Sequence, residues 1–166
     1  MPHTRKSVLP FHWPAPPFHI VLVNPEIPPN TGNIARLCAA TGTVLHLIEP
    51  LGFKITDAEL KRAGLDYWKS VDIRPHPDFD AYLAKEQPAR VFLFSTAGGR
   101  SFLDAGFRPG DALVFGCETR GLSDDLLARY PGHVLGIPVR PEHVRSLNLS
   151  TAVGIALYEA LRQVQL

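Results

Sequence analysis

Gly136-Ile137-Pro138-Val139-Arg140-Pro141-Glu142-His143-Val144-Arg145-Ser146-Leu147-Asn148-Leu149-Ser150 leads into a helical stretch that runs towards Leu166. His133 to Ile137 reads as a short buried strand, and Pro138 and Pro141 bar a helix directly after it. The polar loop that follows carries Arg140, Glu142, His143 and Arg145. Ser146, Asn148 and Ser150 then stand where a helix begins, and each is a residue type that caps exposed N–H groups. Leu149, Val153, Leu157, Leu161 and Val164 recur at helical spacing, with Ala152, Ile155, Ala156 and Ala160 widening the stripe. A strand, a loop of small polar groups and a helix N-terminus is how α/β proteins build ligand sites. An ordinary capped helix would read the same way.

Working outward, the same alternation recurs. Phe18–Val23 is an apolar run suited to a strand buried on both faces. Turn formers fill 24–33, a helix is expected over about Asn33–Thr41 with Gly42 as its stop, and Val44–Ile48 reads as a second strand. A short helix is expected over Asp57–Ala63, a strand over Val71–Arg74, and a helix over Phe79–Glu86 with Asp78 as its cap. Val91–Phe94 reads as a strand opening into Ser95-Thr96-Ala97-Gly98-Gly99. Asp111–Gly116 reads as another, opening into Cys117-Glu118-Thr119-Arg120-Gly121-Leu122, with a helix capped by Ser123 after it. Strands alternating with helices imply an α/β class with a mostly parallel sheet covered on both faces. The expected organisation is a proline-rich, irregular and flexible arm over 1–17, holding five of the 16 prolines, and a single domain over 18–166.

Composition excludes several classes. The chain has 166 residues, 45% of them hydrophobic, which suffices for one compact core. No apolar run approaches the roughly 20 residues that span a bilayer, and Arg5 and Lys6 precede no apolar segment of a secretory signal. Cys38 and Cys117 have no metal-like or redox-like spacing and read as reduced thiols of a cytoplasmic protein. Lys plus Arg number 17 against 16 acidic residues, so a polyanion partner must be met by a local basic patch. There is no G-x-G-x-x-G and no G-x-S-x-G. Gly116 and Gly121 have the glycine spacing of a P-loop, but Leu122 and Ser123 follow where Lys and Ser or Thr are needed. The seven histidines include no H-x-x-x-H pair, so no metal is expected. What remains is three loops after strands, beginning at Phe94, Phe115 and Ile137, which a parallel sheet would gather at one edge around a flat ligand. Three loops with unrelated turn roles remain the alternative.

Asn30-Thr31-Gly32-Asn33-Ile34-Ala35-Arg36, then Phe115-Gly116-x-Glu118-x-Arg120-Gly121-Leu122, then Ile137-Pro138 with Ser146-Leu147-Asn148-Leu149-Ser150, together resemble the SPOUT class of RNA methyltransferases. Ile48-Glu49-Pro50-x-Gly52-Phe53 and Arg62-Ala63-Gly64-Leu65-Asp66-Tyr67 resemble its members that methylate the ribose 2′-OH of the wobble nucleotide of leucine tRNAs. The likeness spans about Ile20–Leu161 and leaves the arm outside it. It implies a C-terminal trefoil knot, S-adenosylmethionine bound there, a homodimer, and a tRNA anticodon stem-loop as partner. By the same resemblance Phe94, Thr96, Gly116, Ile137, Ser146 and Leu147 would surround the donor, and Arg36, Glu118 and Asn148 would be catalytic. Asn30, Arg120, Arg140 and Arg145 would meet RNA, with Lys61 and Arg62 nearby and Tyr67 or Trp68 stacking on a base or packing on the domain. A guanidinium, with a pKa above about 12, is a poor proton acceptor near neutrality. Arg36 is therefore read as a clamp on phosphate and on developing alkoxide charge, against the plainer reading of a solvated helix charge. Two rivals stand beside this: a related enzyme acting on another tRNA position or on rRNA, and a domain that binds the donor or RNA without turnover.

Overall fold

The protein, described as a computed structural model over residues 7–56, 58 and 68–165, is built on one seven-stranded sheet in which every pairing is parallel. The strands are β1 (His19–Val23), β2 (Val44–Ile48), β3 (Ile73–His76), β4 (Val91–Phe94), β5 (Arg100–Ser101), β6 (Ala112–Phe115) and β7 (Val134–Gly136). They lie in the order β3-β2-β1-β6-β4-β7-β5. Among the described residues the main helices are α1 (Pro28–Thr41), α2 (Phe79–Glu86), α3 (Asp124–Ala128) and α4 (Leu149–Gln163).

Strand alternation decides which residue meets which layer. Ile20 and Leu22, Phe92 and Phe94, and Leu113 and Phe115 join one core with Ile34 and Cys38 of α1 and Val153, Leu157 and Leu161 of α4. Val21, Leu93 and Val114 turn to the other face and join Phe79 and Tyr82 of α2 and Leu126 of α3. The apolar runs of β1, β4 and β6 thus have no solvent face to alternate with.

Three expectations change. α1 starts at Pro28 rather than near Asn33, with prolines in its first turn and Ile27 at the cap position. The first turn has no intrahelical N–H partner to lose, so prolines are tolerated there. The third strand runs over Ile73–His76, later than Val71–Arg74; as the edge strand it accommodates Pro75. β5 and the 3₁₀ turn Phe102–Asp104 carry too few residues to show a period and were not expected. The expected caps are present: Asp78 Oδ1 accepts from Ala81 N at 2.7 Å, and Ser123 caps α3. In α4 the cap is Asn148 among the three candidates, accepting from Ser150 N and Thr151 N.

The expected helix over Asp57–Ala63, together with Lys61, Arg62 and Tyr67, lies outside the described residues. Trp68 packs against the first core rather than standing free. The arm from Ser7 to Pro17 has no regular element, yet His12 is held by a reciprocal pair, its N–H donating to Gln165 Oε1 at 3.0 Å and its carbonyl accepting from Gln165 Nε2 at 2.9 Å. No helix among the described residues is long and apolar enough to cross a membrane.

Candidate functional site

Because the sheet is parallel, the C-terminal ends of β1, β6, β4 and β7 open at one edge, and their loops meet there. They enclose a cavity of about 880 Å³, within the range of small-molecule sites. Its wall includes all six positions expected around a donor: Phe94, Thr96, Gly116, Ile137, Ser146 and Leu147. Glu118, Asn148, Asn30, Arg120 and Arg145 also line it, whereas Arg36 and Arg140 do not. Arg36 is exposed on α1, two turns in from its start, and Arg140 is exposed on the loop after β7.

One chain of side chains joins three of the loops. Glu118 accepts hydrogen bonds from Glu26 N at 2.8 Å, Ile27 N at 3.1 Å and Asn30 Nδ2 at 3.3 Å. Its carboxylate therefore ties the turn after β6 to the loop after β1 and to the first turn of α1. Asn30 passes the connection on, since its Oδ1 accepts from Asn148 Nδ2 at 3.1 Å. Asn148 in turn caps α4, with Oδ1 accepting from Ser150 N at 2.9 Å and Ser150 Oγ at 2.6 Å. Beside this line, Glu26 Oε1 accepts from Thr119 Oγ1 at 2.7 Å. Hydrogen bonds from Cys117 and Thr119 hold the Glu26 carboxyl below its ordinary range.

Asn30 and Gly116 are both buried among protein atoms. Asn30, expected as an RNA contact, is buried, with both ends of its amide engaged inside the protein. Gly116, expected beside the donor, lines the cavity, but a Cβ there would lie 2.0 Å from Gly121 C and 2.3 Å from Leu122 N. The turn from Cys117 to Gly121, closed by Gly121 N donating to Cys117 O at 3.0 Å, folds back directly over it. Gly121 sits at φ +67°, a conformation that side chains disfavour. Gly98 is crowded in the same way, its missing Cβ falling 2.5 Å from Leu135 C.

Ser95, Gly99, Arg100 and Ser101 also line the cavity and were not singled out as contacts. The signal available for Gly99 was the small-residue loop after β4. Arg100 and Ser101 are brought in by β5, which the sequence did not disclose. Arg100 is fixed by donating to Gly132 O at 3.1 Å and Asp104 O at 2.7 Å. The stacked rings of Phe94 and Phe115, with centroids 4.7 Å apart, contribute an apolar wall. The arrangement suits a ligand with a flat apolar part and polar edges, approached at the mouth by Arg120 and Arg145.

A tRNA (cytidine(34)-2′-O)-methyltransferase of Burkholderia ambifaria is 54% identical over 149 residues, covering 88% of this chain and 95% of that protein. A solved structure concerning 2-OH methylation of C/U34 on tRNA superimposes with a TM-score of 0.82 at 56% identity, covering 89% of this chain and 95% of that one. An AdoMet-bound rRNA methyltransferase from Sinorhizobium meliloti superimposes with a TM-score of 0.77 at 25% identity, over 89% of this chain and 56% of that one. A family description matches residues 17–158, which hold every strand and every loop of the cavity. By that match and by identity over most of its length, the chain belongs to the SpoU rRNA methylase family.

Proposed function

We propose that this chain transfers a methyl group from S-adenosylmethionine to the ribose 2′-OH of nucleotide 34 of tRNA, with leucine tRNAs as substrates. The observation that carries the reading is the line Glu118–Asn30–Asn148, which ties three loops together along the cavity wall. The relatives named above for cytidine-34 methylation, at 54% identity, support tRNA over rRNA as the substrate. The AdoMet-bound relative supports the donor.

The cavity's size and its mix of backbone edges with the Phe94 and Phe115 rings fit S-adenosylmethionine. When bound, it supplies an electrophilic methyl group on a sulfonium. Thr96, Gly116, Ile137, Ser146 and Leu147 would hold it, largely through backbone groups. Glu118, Asn30 and Asn148 keep the loops at fixed separation, so that donor and acceptor meet in line. Arg36 clamps a phosphate of the RNA and stabilises negative charge as the 2′-oxygen loses its proton. Arg120, Arg140 and Arg145, all exposed, meet backbone phosphates of the anticodon stem-loop.

The same reading includes a cytoplasmic homodimer and the C-terminal knot of the class. The exposed apolar side chains of Ile155 and Tyr158 on α4 support a contact between copies there. The close approach of Gly98 to Leu135 and Gly136 supports tight threading of the last loops. Incubation with labelled methyl donor and, separately, total tRNA and rRNA, followed by mapping of the modified nucleotide, tests the reading. Label at nucleotide 34 of leucine tRNAs is expected. Label confined to rRNA would transfer the activity to that substrate, and donor binding without label would reduce the chain to a binding domain.

A further inference from the structure

Outside the cavity, β1, β2, β3 and α2 bring together a buried group of ionisable side chains on the face covered by α2. His46 of β2 is fully buried, and its Nδ1 lies 3.0 Å from His76 Nε2 on β3. Glu86, at the end of α2, has a side chain only 7% exposed. Its Oε2 accepts from Arg74 at 2.7 Å, while Oε1 points to within 3.9 Å of His76 Nε2, too far for a hydrogen bond. One ligand atom from each of His46, His76 and Glu86 falls within 4.8 Å of the others.

This cluster leaves polar atoms unmatched. Glu86 Oε1, which faces His76, is buried with no hydrogen-bond partner, and so is His46 Nε2, the ring nitrogen other than the Nδ1 that meets His76. Leaving a buried polar atom unmet is costly, so such atoms ordinarily mark a water or an ion. Two imidazoles and a carboxylate are the donor set of a zinc-class ion. Bonds of about 2.1 Å place tetrahedral ligand atoms about 3.4 Å apart, and the separations of 3.0 and 3.9 Å bracket that value. Arg74 and Lys85 oppose a cation electrostatically. Arg74 is itself balanced by Asp72, at 2.7 Å, and its bond to Oε2 orients the carboxylate with Oε1 towards the histidines.

We propose that His46, His76 and Glu86 form a structural site for one divalent transition-metal ion of the zinc class, with water as a further ligand. The ion staples edge strand β3 and helix α2 to β2. It takes no part in methyl transfer, since none of the three residues lines the cavity. The sequence expectation of no metal rested on local spacing, and these ligands are 30 and 10 residues apart along the chain.

The test uses the full, tag-free chain, stripped with a chelator and titrated with Co²⁺ and then Zn²⁺. One equivalent of Co²⁺ with the visible absorption of a tetrahedral site, displaced by Zn²⁺, is expected, as is a higher melting temperature with Zn²⁺. Glu86→Gln and His76→Gln, checked for folding by circular dichroism, should lose both effects, and His12→Gln in the arm should keep them. No stoichiometric uptake by the wild type, leaving a buried water only, overturns the proposal; so does equal uptake by the Glu86 and His76 variants. If those variants fail to fold, X-ray absorption of the zinc-loaded wild type decides: two imidazoles with oxygen ligands support the site, and fewer than two overturn it.

Discussion

Asn148 Nδ2 donates to Asn30 Oδ1 at 3.1 Å, joining residues 118 apart in sequence at the junction of α1 and α4. Asn148 has two duties, because its Oδ1 also caps α4. Substitution can separate them. Asn148→Ala removes both and should lower stability by about 1 kcal/mol, the usual worth of a cap. Asn148→Asp keeps the cap but turns a carboxylate oxygen towards Asn30 Oδ1. Urea unfolding should show the Asp variant close to wild type, while turnover drops on the order of 100-fold through misplacement of the loop. Wild-type turnover in the Asp variant would reduce the Asn30 link to a structural ornament.

Gly116 and Gly99 should respond differently to a side chain. Gly116→Val drives Cβ into the backbone of Gly121 and Leu122, so the protein should lose its cooperative melt or express as aggregate. A Cβ at Gly99 meets nothing within 4 Å, yet Gly99 lines the cavity. Gly99→Val should therefore melt like wild type and bind S-adenosylmethionine more weakly by calorimetry. Unchanged affinity would move the donor away from the loop after β4.

Arg36→Ala should cut turnover by on the order of 100- to 1000-fold, the usual worth of one electrostatic contact to developing charge. Arg36→Lys should retain part of the activity, and donor affinity should hold in both, because Arg36 does not line the cavity. The pH–rate profile distinguishes clamp from base. A clamp lowers the rate at every pH and leaves the bend in place; a bend that moves with Arg36→Lys would make the side chain the proton acceptor.

The two cysteines should label at very different rates. Burial pushes the Cys38 thiol up to about 12, which removes its thiolate near neutrality. Cys117 is part-exposed and lines the cavity. Mass spectrometry after iodoacetamide treatment should find Cys117 modified and Cys38 untouched until the chain is unfolded. S-adenosylmethionine should slow the labelling of Cys117, and absence of protection would speak against the donor occupying this cavity.

The exposed pair Ile155 and Tyr158 on α4 offers a test of assembly. Light scattering at micromolar concentration should give the mass of two chains for wild type and of one for Ile155→Glu. A monomeric wild type would contradict the proposed dimer.

The sequence by itself determined the layered α/β class and most of its elements. β2, α2 and β4 lie on the expected residues because continuous apolar runs and the Asp78 cap are local signals. The three loops of the cavity were legible as stretches directly after strands, whereas the individual residues expected around a donor came from the family resemblance, and Ser95, Gly99, Arg100 and Ser101 were missed. Tertiary structure alone decided what those residues do to one another. Glu118 meets Glu26, Ile27 and Asn30 across about 90 residues of chain, and only the order β1-β6-β4-β7 makes them neighbours. Gly116 shows the limit most plainly: its sequence context speaks of close approach, but not whether the approaching atoms belong to a ligand or to Gly121. The His46–His76–Glu86 cluster was invisible for the same reason. Its members sit on β2, β3 and α2, and no periodicity along a chain encodes the pairing of parallel strands or the placing of a helix over them.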